Sequence, residues 1–422
     1  MNRKLRIIIA GLVVAGFLGM KVEGQTAYIS NSGSNNVFVI NVATNTVTDS
    51  ITVGNNPDGV SVSSDGNWVY VANCVAVGSV SVIKTATNVV TATIPVGNTP
   101  TCLCVSPDGT KVYVANDGDN NVSVITVASN TVTAIIPVGN NPWGIVVTPD
   151  GSKVYVANDN DNSNSVSVIN AATNAVIATI QIDAVNTIGN PTGIAVSPNG
   201  SKVYVTSQGP DKVSVISTTG DTLIDSIFVE TAPTGIAVSP DGSRIYVANS
   251  GDDDVSVIDS LTNHVLTTVS VGTNPDGVSV TPDGSMVYVA NQLSGTVSVI
   301  NTTNNTVSTT IPVDQYPVSL GNFITIYTPS TTGIPFLSNE SSGIIVYPNP
   351  ASTLVNIHRS NCQLSIENCQ LIITDLLGTE VYKEMLTGID NTITISTWSA
   401  GIYFYEVRSM NGIAHGKFIK VN

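Results

Sequence analysis

The stretch Ser239–Asp259, SPDGSRIYVANSGDDDVSVID, decides the fold. It reads as a tight turn, a strand, a polar loop and a second strand. Pro240 presets φ and Gly242 accepts a positive φ, so SPDG is a turn. RIYVA and DVSVI are rich in β-branched residues and read as strands. Working outward, TGIAV (234–238) supplies a strand before the stretch and VLTTVSV (265–271) one after it. Between the last two lies the hairpin turn DSLTN (259–263), whose counterparts elsewhere are VATN, TATN, VASN and AATN. The unit is a four-stranded antiparallel meander of about 40 residues, the size of a propeller blade.

The unit recurs down most of the chain. Its signature tyrosine stands at Tyr28 (in YISN), Tyr70, Tyr113, Tyr155, Tyr204 (in YVTS), Tyr246 and Tyr288. The steps are 42, 43, 42, 49, 42 and 42 residues, the long one holding an insertion, DAVNTIGN, at 183–190. VYVA is apolar throughout and VSVI alternates Val with a small residue, which suits strands covered on both faces. A β-helix is the structural rival, but it needs no Pro-Asp-Gly hairpin in every repeat. The phase of the array predicts closure. Six blades are contiguous, at 57–97, 100–139, 142–182, 191–229, 233–271 and 275–313. The seventh is assembled from both ends, with 316–326 beside 26–53, which leaves no long open edge. The expected class is therefore all-β, a seven-bladed propeller at 25–326 closed by its terminal strands.

Composition agrees. The chain has 422 residues, only 11 % of them charged, and a formal net charge of −15. The acidity is concentrated in the repeats: residues 25–328 hold 6 Lys+Arg against 22 Asp+Glu. Such a surface repels phosphate backbones, so nucleic acid is set aside as a partner. The start, MNRKLRIIIAGLVVAGFLGMKVEGQ, has a basic head, an apolar run at 7–20 and small residues before Gln25. It reads as a signal peptide, 1–24, with an apolar run short of the ~20 residues that span a bilayer. No transmembrane segment is expected in the mature chain. Residues 327–342, TPSTTGIPFLSNESSG, read as a linker. After it, 343–422 offers five to seven short strands, hence a small β-sandwich.

Two resemblances follow. SPDGSRIYVANSGDDDVSVID resembles the YVTN family of β-propeller repeats of bacterial and archaeal surface proteins. The tail is similar to the C-terminal sorting domain of type IX secretion substrates in Bacteroidota. The matching pieces are YPNPAS, with Tyr347, Pro348, Asn349 and Pro350 as the sorting motif, DLLGTEV (375–381), GIYFYEV (401–407) and the terminal GKFIKV. This resemblance implies export through the type IX machinery, which becomes a partner, and a location outside the cell or on its outer surface.

Chemistry is harder to find. The three histidines, His264, His358 and His415, have no metal or triad spacing. The Asp of the PDG-type turns (Asp65, Asp108, Asp150, Asp241 and Asp283, with Asn199 in one copy) is read as a turn former. The polar loops NDNDNSN and SGDDD carry alternate carboxylates, and Asp159, Asp161, Asp252 and Asp254 are candidates for weak calcium sites. No other cofactor is expected. The residues before the inner strands vary from blade to blade: NPDG, TPTC, NPWG, NPTG, APTG, NPDG and QYPV. They cluster at one channel mouth, so Asp58, Trp143, Asp276 and Tyr316, with Asn73, Asn116, Asn158, Asn249 and Asn291, form the candidate ligand rim. Cys74 and Cys102 are candidates for an interblade disulfide, and Cys362 and Cys369 for one in the tail. The functional expectation is a monomeric, exported, non-enzymatic module that binds a protein or glycan. The alternatives are a lactonase-like or redox propeller enzyme and a structural surface-layer component.

Overall fold

The computed structural model describes residues 25–159, 164–183 and 189–325, and in the tail 344–347, 354–359, 369–375, 379–386, 390–399, 401–409 and 412–420. The signal segment, the linker, Asp161, Cys362 and Pro348–Pro350 lie outside the described residues. Two compact units divide the chain, 1–330 and 331–422. No helix of the described residues is long and apolar enough to cross a membrane.

The first unit opens with β1 (Thr26–Asn31), β2 (Asn36–Asn41) and β3 (Thr46–Thr52). Six meanders follow: β4–β7 (57–95), β8–β11 (100–137), β12–β15 (142–181), β16–β19 (191–228), β20–β23 (233–270) and β24–β27 (275–312). Each is an antiparallel sheet with its strands in sequence order. The SPDG segments turn as read: Gly242 takes φ +73°, and Asp241 accepts from Ser239 Oγ (2.6 Å) and from the Ser243 N–H (3.0 Å). The seven signature tyrosines are all at most 2 % exposed, filling the space between successive sheets.

The ring closes through the two ends of the array. Tyr28 N–H donates to Phe323 O (2.9 Å), Val318 N–H to Ser30 O (3.0 Å) and Thr325 N–H to Thr26 O (2.8 Å). The late segment therefore completes the sheet of β1–β3 as its innermost strand. It also bonds to both neighbours: Val60 N–H donates to Leu320 O (2.8 Å) and Gly277 N–H to Val318 O (2.9 Å). One apolar core runs across this seam, joining Tyr28, Val37 and Phe323 to Val60 and Val69 on one side and to Tyr288, Val297 and Ile311 on the other.

Near the axis the inner strands approach until only a hydrogen fits between them. A Cβ on Gly193 would stand 2.1 Å from Thr234 O, on Gly235 2.1 Å from Asp276 O, and on Gly277 2.2 Å from Ser319 O. Each contact is with the next inner strand around the ring.

The second unit has β28 (Ile344–Tyr347), β29 (Leu354–Arg359), β30 (Cys369–Thr374), β31 (Glu380–Leu386), β32 (Asp390–Thr394), β33 (Gly401–Ser409) and β34 (Gly412–Lys420). They form two sheets, in the orders β28-β29-β32 and β31-β30-β33-β34. Val355, Ile357 and Ile393 of the first share a core with Leu371, Ile373 and Val407 of the second, which makes a small sandwich.

The axial contact gives a test. Gly235→Val should lower Tm or prevent folding, because overpacking against backbone costs about 1–3 kcal/mol or more. Gly220→Ala, whose Cβ would meet only the Thr222 side chain, at 3.6 Å, should leave Tm within about 1 °C. Equal Tm values for the two variants would contradict the contact.

Candidate functional site

The inner strands begin Pro-X-Gly, except β8, which begins Pro100-Thr101-Cys102, and each carries a bulge there. In β4, Pro57 pairs with Asn73 and Val60 with Val71, so Asp58 and Gly59 together oppose the single residue Ala72. A bulge re-aims side chains, and the tight Gly contact holds each X beside the X of the next blade. The X residues are Asp58, Thr101, Trp143, Thr192, Thr234 and Asp276, and the closing segment supplies Val318.

The three threonines spend their hydroxyls on the next blade. Thr101 Oγ1 donates to Trp143 O (3.0 Å), Thr192 Oγ1 to Pro233 O (3.4 Å) and Thr234 Oγ1 to Pro275 O (3.0 Å). The two aspartates are different, because an ionised carboxylate cannot donate. Asp58 is 8 % exposed and its Oδ1 has no hydrogen-bond partner. Burial, and next the charge of Asp276, push its carboxyl well above the ordinary range. Burial pushes Asp276 up to about 7. The carboxyls come from blades one and six, on either side of the closing segment, near enough for the charge of Asp276 to act on Asp58. Ser30 Oγ fixes that seam, donating to Asp58 O (2.6 Å) and accepting from the Ser319 N–H (2.9 Å). Trp143 is half-buried against the core of blades two and three. Tyr316, 49 % exposed, holds a positive φ of 54°, and its ring edge covers Gly33.

The other rim candidates do not belong to a surface. Asn73, Asn116, Asn158, Asn249 and Asn291 are 0 % exposed. Each ends the second strand of its blade and turns its amide into the sheet. Asn73 Nδ2 donates to Ser79 and Ser81 Oγ (2.9 and 3.0 Å), and Asn249 Nδ2 to Asp254 Oδ1 and Ser256 Oγ (2.7 and 2.8 Å). They are anchors inside the blades. This corrects the expectation that they contact a ligand.

The calcium candidates are partly accounted for. Asp252 Oδ2 accepts from the Thr231 N–H (2.6 Å), tying its loop to the preceding connector, and Asp254 accepts from Asn249. Asp159 begins the loop after Asn158, where its N–H donates to Asn141 O (2.8 Å). Among the described residues no three His, Cys, Asp or Glu side chains gather.

Cys74, Cys102 and Cys104 are free thiols, so the expected Cys74–Cys102 bond is not formed. Cys74 lies in the loop after β5, where its N–H donates to Asn56 O. Cys102 turns inward and packs with Ile145, Val318 and Leu320. Position along the strand placed both at one end, but their side chains point to different surroundings. The Cys362–Cys369 pairing falls partly outside the described residues.

Beyond the mouth the inner strands enclose a channel cavity of about 550 Å³. It is lined by backbone and small or aliphatic side chains.

Comparison with known proteins now bears on this geometry. Residues 75–181 and 218–322, together half of the chain, match the family described as lactonase, 7-bladed beta-propeller. Residues 345–421 match the secretion system C-terminal sorting domain. No curated protein matches the chain. Among solved structures it is similar to Kuenenia stuttgartiensis hydrazine synthase: 25% identity, TM-score 0.61, over 67% of this chain and 94% of that one. It is also similar to the periplasmic gluconolactonase of Pseudomonas aeruginosa, at 18% identity and TM-score 0.61, over 72% of this chain and 100% of that one. A Bacteroides uniformis protein assigned as a 6-phosphogluconolactonase aligns at 19% identity and TM-score 0.61, over 70% and 98%. The chain belongs to the seven-bladed lactonase-type propellers. Its tail is a sorting domain, which sends the protein through the type IX system to the cell surface or the extracellular space. The expectation of a non-enzymatic module is overturned by this family match. It had rested on the lack of histidine and metal constellations, and two carboxyls brought together by burial are invisible to such a search.

The pair predicts a pH dependence of stability. Both groups have folded pKa values above that of an unfolded Asp, about 3.9. The stability they contribute is full below about pH 4 and is lost as pH rises toward 7. Tm should therefore fall between pH 5 and 8. In Asp58→Asn/Asp276→Asn the fall should flatten, and Tm at pH 8 should exceed the parent's by about 2–6 °C. An unchanged slope in the double variant would contradict a shared buried proton.

Proposed function

We propose that this exported propeller hydrolyses a neutral lactone at the Pro-X-Gly mouth, with Asp58 and Asp276 as its acid–base pair. The observation that carries the reading is the unpartnered, buried Oδ1 of Asp58 beside a second carboxyl whose pKa is near neutral. Like charges that share a buried place do not both ionise, so near pH 7 one carboxyl keeps a proton while the other has lost it. That is an acid beside a base.

The chemistry balances without a cofactor. The ionised carboxylate takes a proton from water as its oxygen attacks the lactone carbonyl. The carboxylic acid gives its proton to the ring oxygen as the C–O bond breaks. The pair ends with one proton, as it began, and the hydroxy acid product ionises into solvent. Trp143 and Tyr316, the aromatics of the candidate rim, would hold the substrate ring.

Charge selects the substrate class. None of the X residues is Lys or Arg. Basic side chains of the propeller are engaged elsewhere, such as Lys153 on Asp221 (2.8 Å) and Lys212 on Asp183 (2.6 Å). A phosphorylated lactone would meet two carboxyls with no cation to receive it. An uncharged one, such as gluconolactone, suits the mouth better.

The test is hydrolysis of gluconolactone and its 6-phosphate followed by acid release. The wild type should prefer the uncharged substrate. Asp58→Asn and Asp276→Asn should each lower kcat by about 10²–10⁴-fold, whereas Trp143→Ala should raise KM with little change in kcat. No hydrolysis above the solvent rate across a panel of neutral lactones would sink the proposal, as would full activity in both Asn variants.

A further inference from the structure

The channel cavity holds a feature that the hydrolytic reading does not use. Among its lining residues the only titratable side chains are Cys102 and Cys104. Both come from β8, in blade two. At the place of Cys102 the other blades carry Gly59, Gly144, Gly193, Gly235 and Gly277. At the place of Cys104 they carry Ser61, Val146, Ala195, Ala237 and Ser279. The closing segment carries Ser319 and Gly321 there, so the fold is built six times without sulfur at these positions and packing does not demand it here.

The two thiols are placed as a pair. They stand two residues apart and both line the cavity, although the bulge at Thr101 and Cys102 displaces the first part of the strand. Both thiols pack against the same core as Ile145 and Val147 of β12, and the Cys102 thiol faces Leu103 O (3.9 Å). Positions i and i+2 of a strand lie roughly 6–7 Å apart, at the upper end of what a cystine spans. Both cysteines are free. Both sulfurs therefore remain available to a ligand in the channel.

The chemistry of that ligand is limited by the number of donors. Zinc takes four ligands and calcium six to eight, and no three metal-binding side chains gather among the described residues. Thiolates select soft ions such as copper(I), and such d10 ions accept two sulfurs in line.

We propose that Cys102 and Cys104 form a two-sulfur site for one soft, thiophilic ion of the copper(I) class inside the channel. Binding replaces each S–H bond by a sulfur–metal bond. Both protons leave to solvent, and no electron is transferred. With a monovalent ion the complex carries one negative charge. The site stands whether or not the mouth hydrolyses lactones.

The experiment uses the full mature chain with Cys74, Cys362 and Cys369 changed to Ser, titrated anaerobically with copper(I) against a competing chelator. One ion per chain should bind, with the near-ultraviolet absorption of a thiolate complex. Cys102→Gly and Cys104→Ala restore what other blades carry, so both should keep the parent's circular dichroism. Each should weaken binding at least a hundredfold, and the double variant should abolish it. The proposal is overturned by no binding, by two ions bound independently, or by a single variant whose affinity stays within threefold of the parent.

Discussion

The structure depends on how closely seven inner strands approach around one axis. Each is spaced from the next by a glycine hydrogen or by a substituent that the local bulge accommodates. Gly144 would place a Cβ 2.2 Å from Thr192 O, and the same contact recurs around most of the ring. This spacing sets the radius, and the radius sets the number of blades that can close. A single meander cannot bury both its faces. Seven of them can, because each tyrosine-bearing strand is covered by the next sheet. Closure then brings Asp58 and Asp276, far apart in the sequence, to either side of the segment that carries Val318 and Ser319.

The mouth shows what that proximity costs. At three of the X positions threonine meets a carbonyl of the neighbouring blade and the polar group is satisfied. At two positions an aspartate stands instead, and at Asp58 one carboxyl oxygen is left without a partner. An unpaired buried acceptor costs about 1–3 kcal/mol, and a second carboxyl nearby adds repulsion. Folding alone would favour threonine at all of them. Side chains that work against stability in this way concentrate at functional sites. The same reasoning distinguishes Cys102 and Cys104 from the glycines and small residues of the other blades.

Much of the architecture was legible. The turn chemistry of SPDG, the regular tyrosine spacing and the phase of the two ends gave the blades, their order and the closing segment, and the terminal motifs gave the sorting domain. The site was only half legible. Asp58, Trp143, Asp276 and Tyr316 stand out because they break the repeat, yet nothing local reveals that Asp58 is buried or that the charge of Asp276 reaches it. The signature asparagines were misread because Asn before a polar loop suggests exposure. A signal was present in the repeat. Asn73, Asn116, Asn158, Asn249 and Asn291 each accompany a serine in the following VSV, and the amide bonds to that serine. Where blade four has Ser207 instead, Ser207 and Ser214 are both left without partners. The Cys74–Cys102 pairing failed for a related reason: position along a strand says which end a residue is at, not which way its side chain points.

The central claim is the closed ring, and hydrogen exchange at its seam tests it most directly. The amides of Tyr28, Val318 and Thr325 donate across the two chain ends. If the ring is closed, peptides covering 26–33 and 316–325 should exchange as slowly as those of β13 (153–158) in blade three, through global unfolding alone. Exchange of the seam at a markedly lower free energy than blade three, with the other blades still protected, would show an open array and contradict the account.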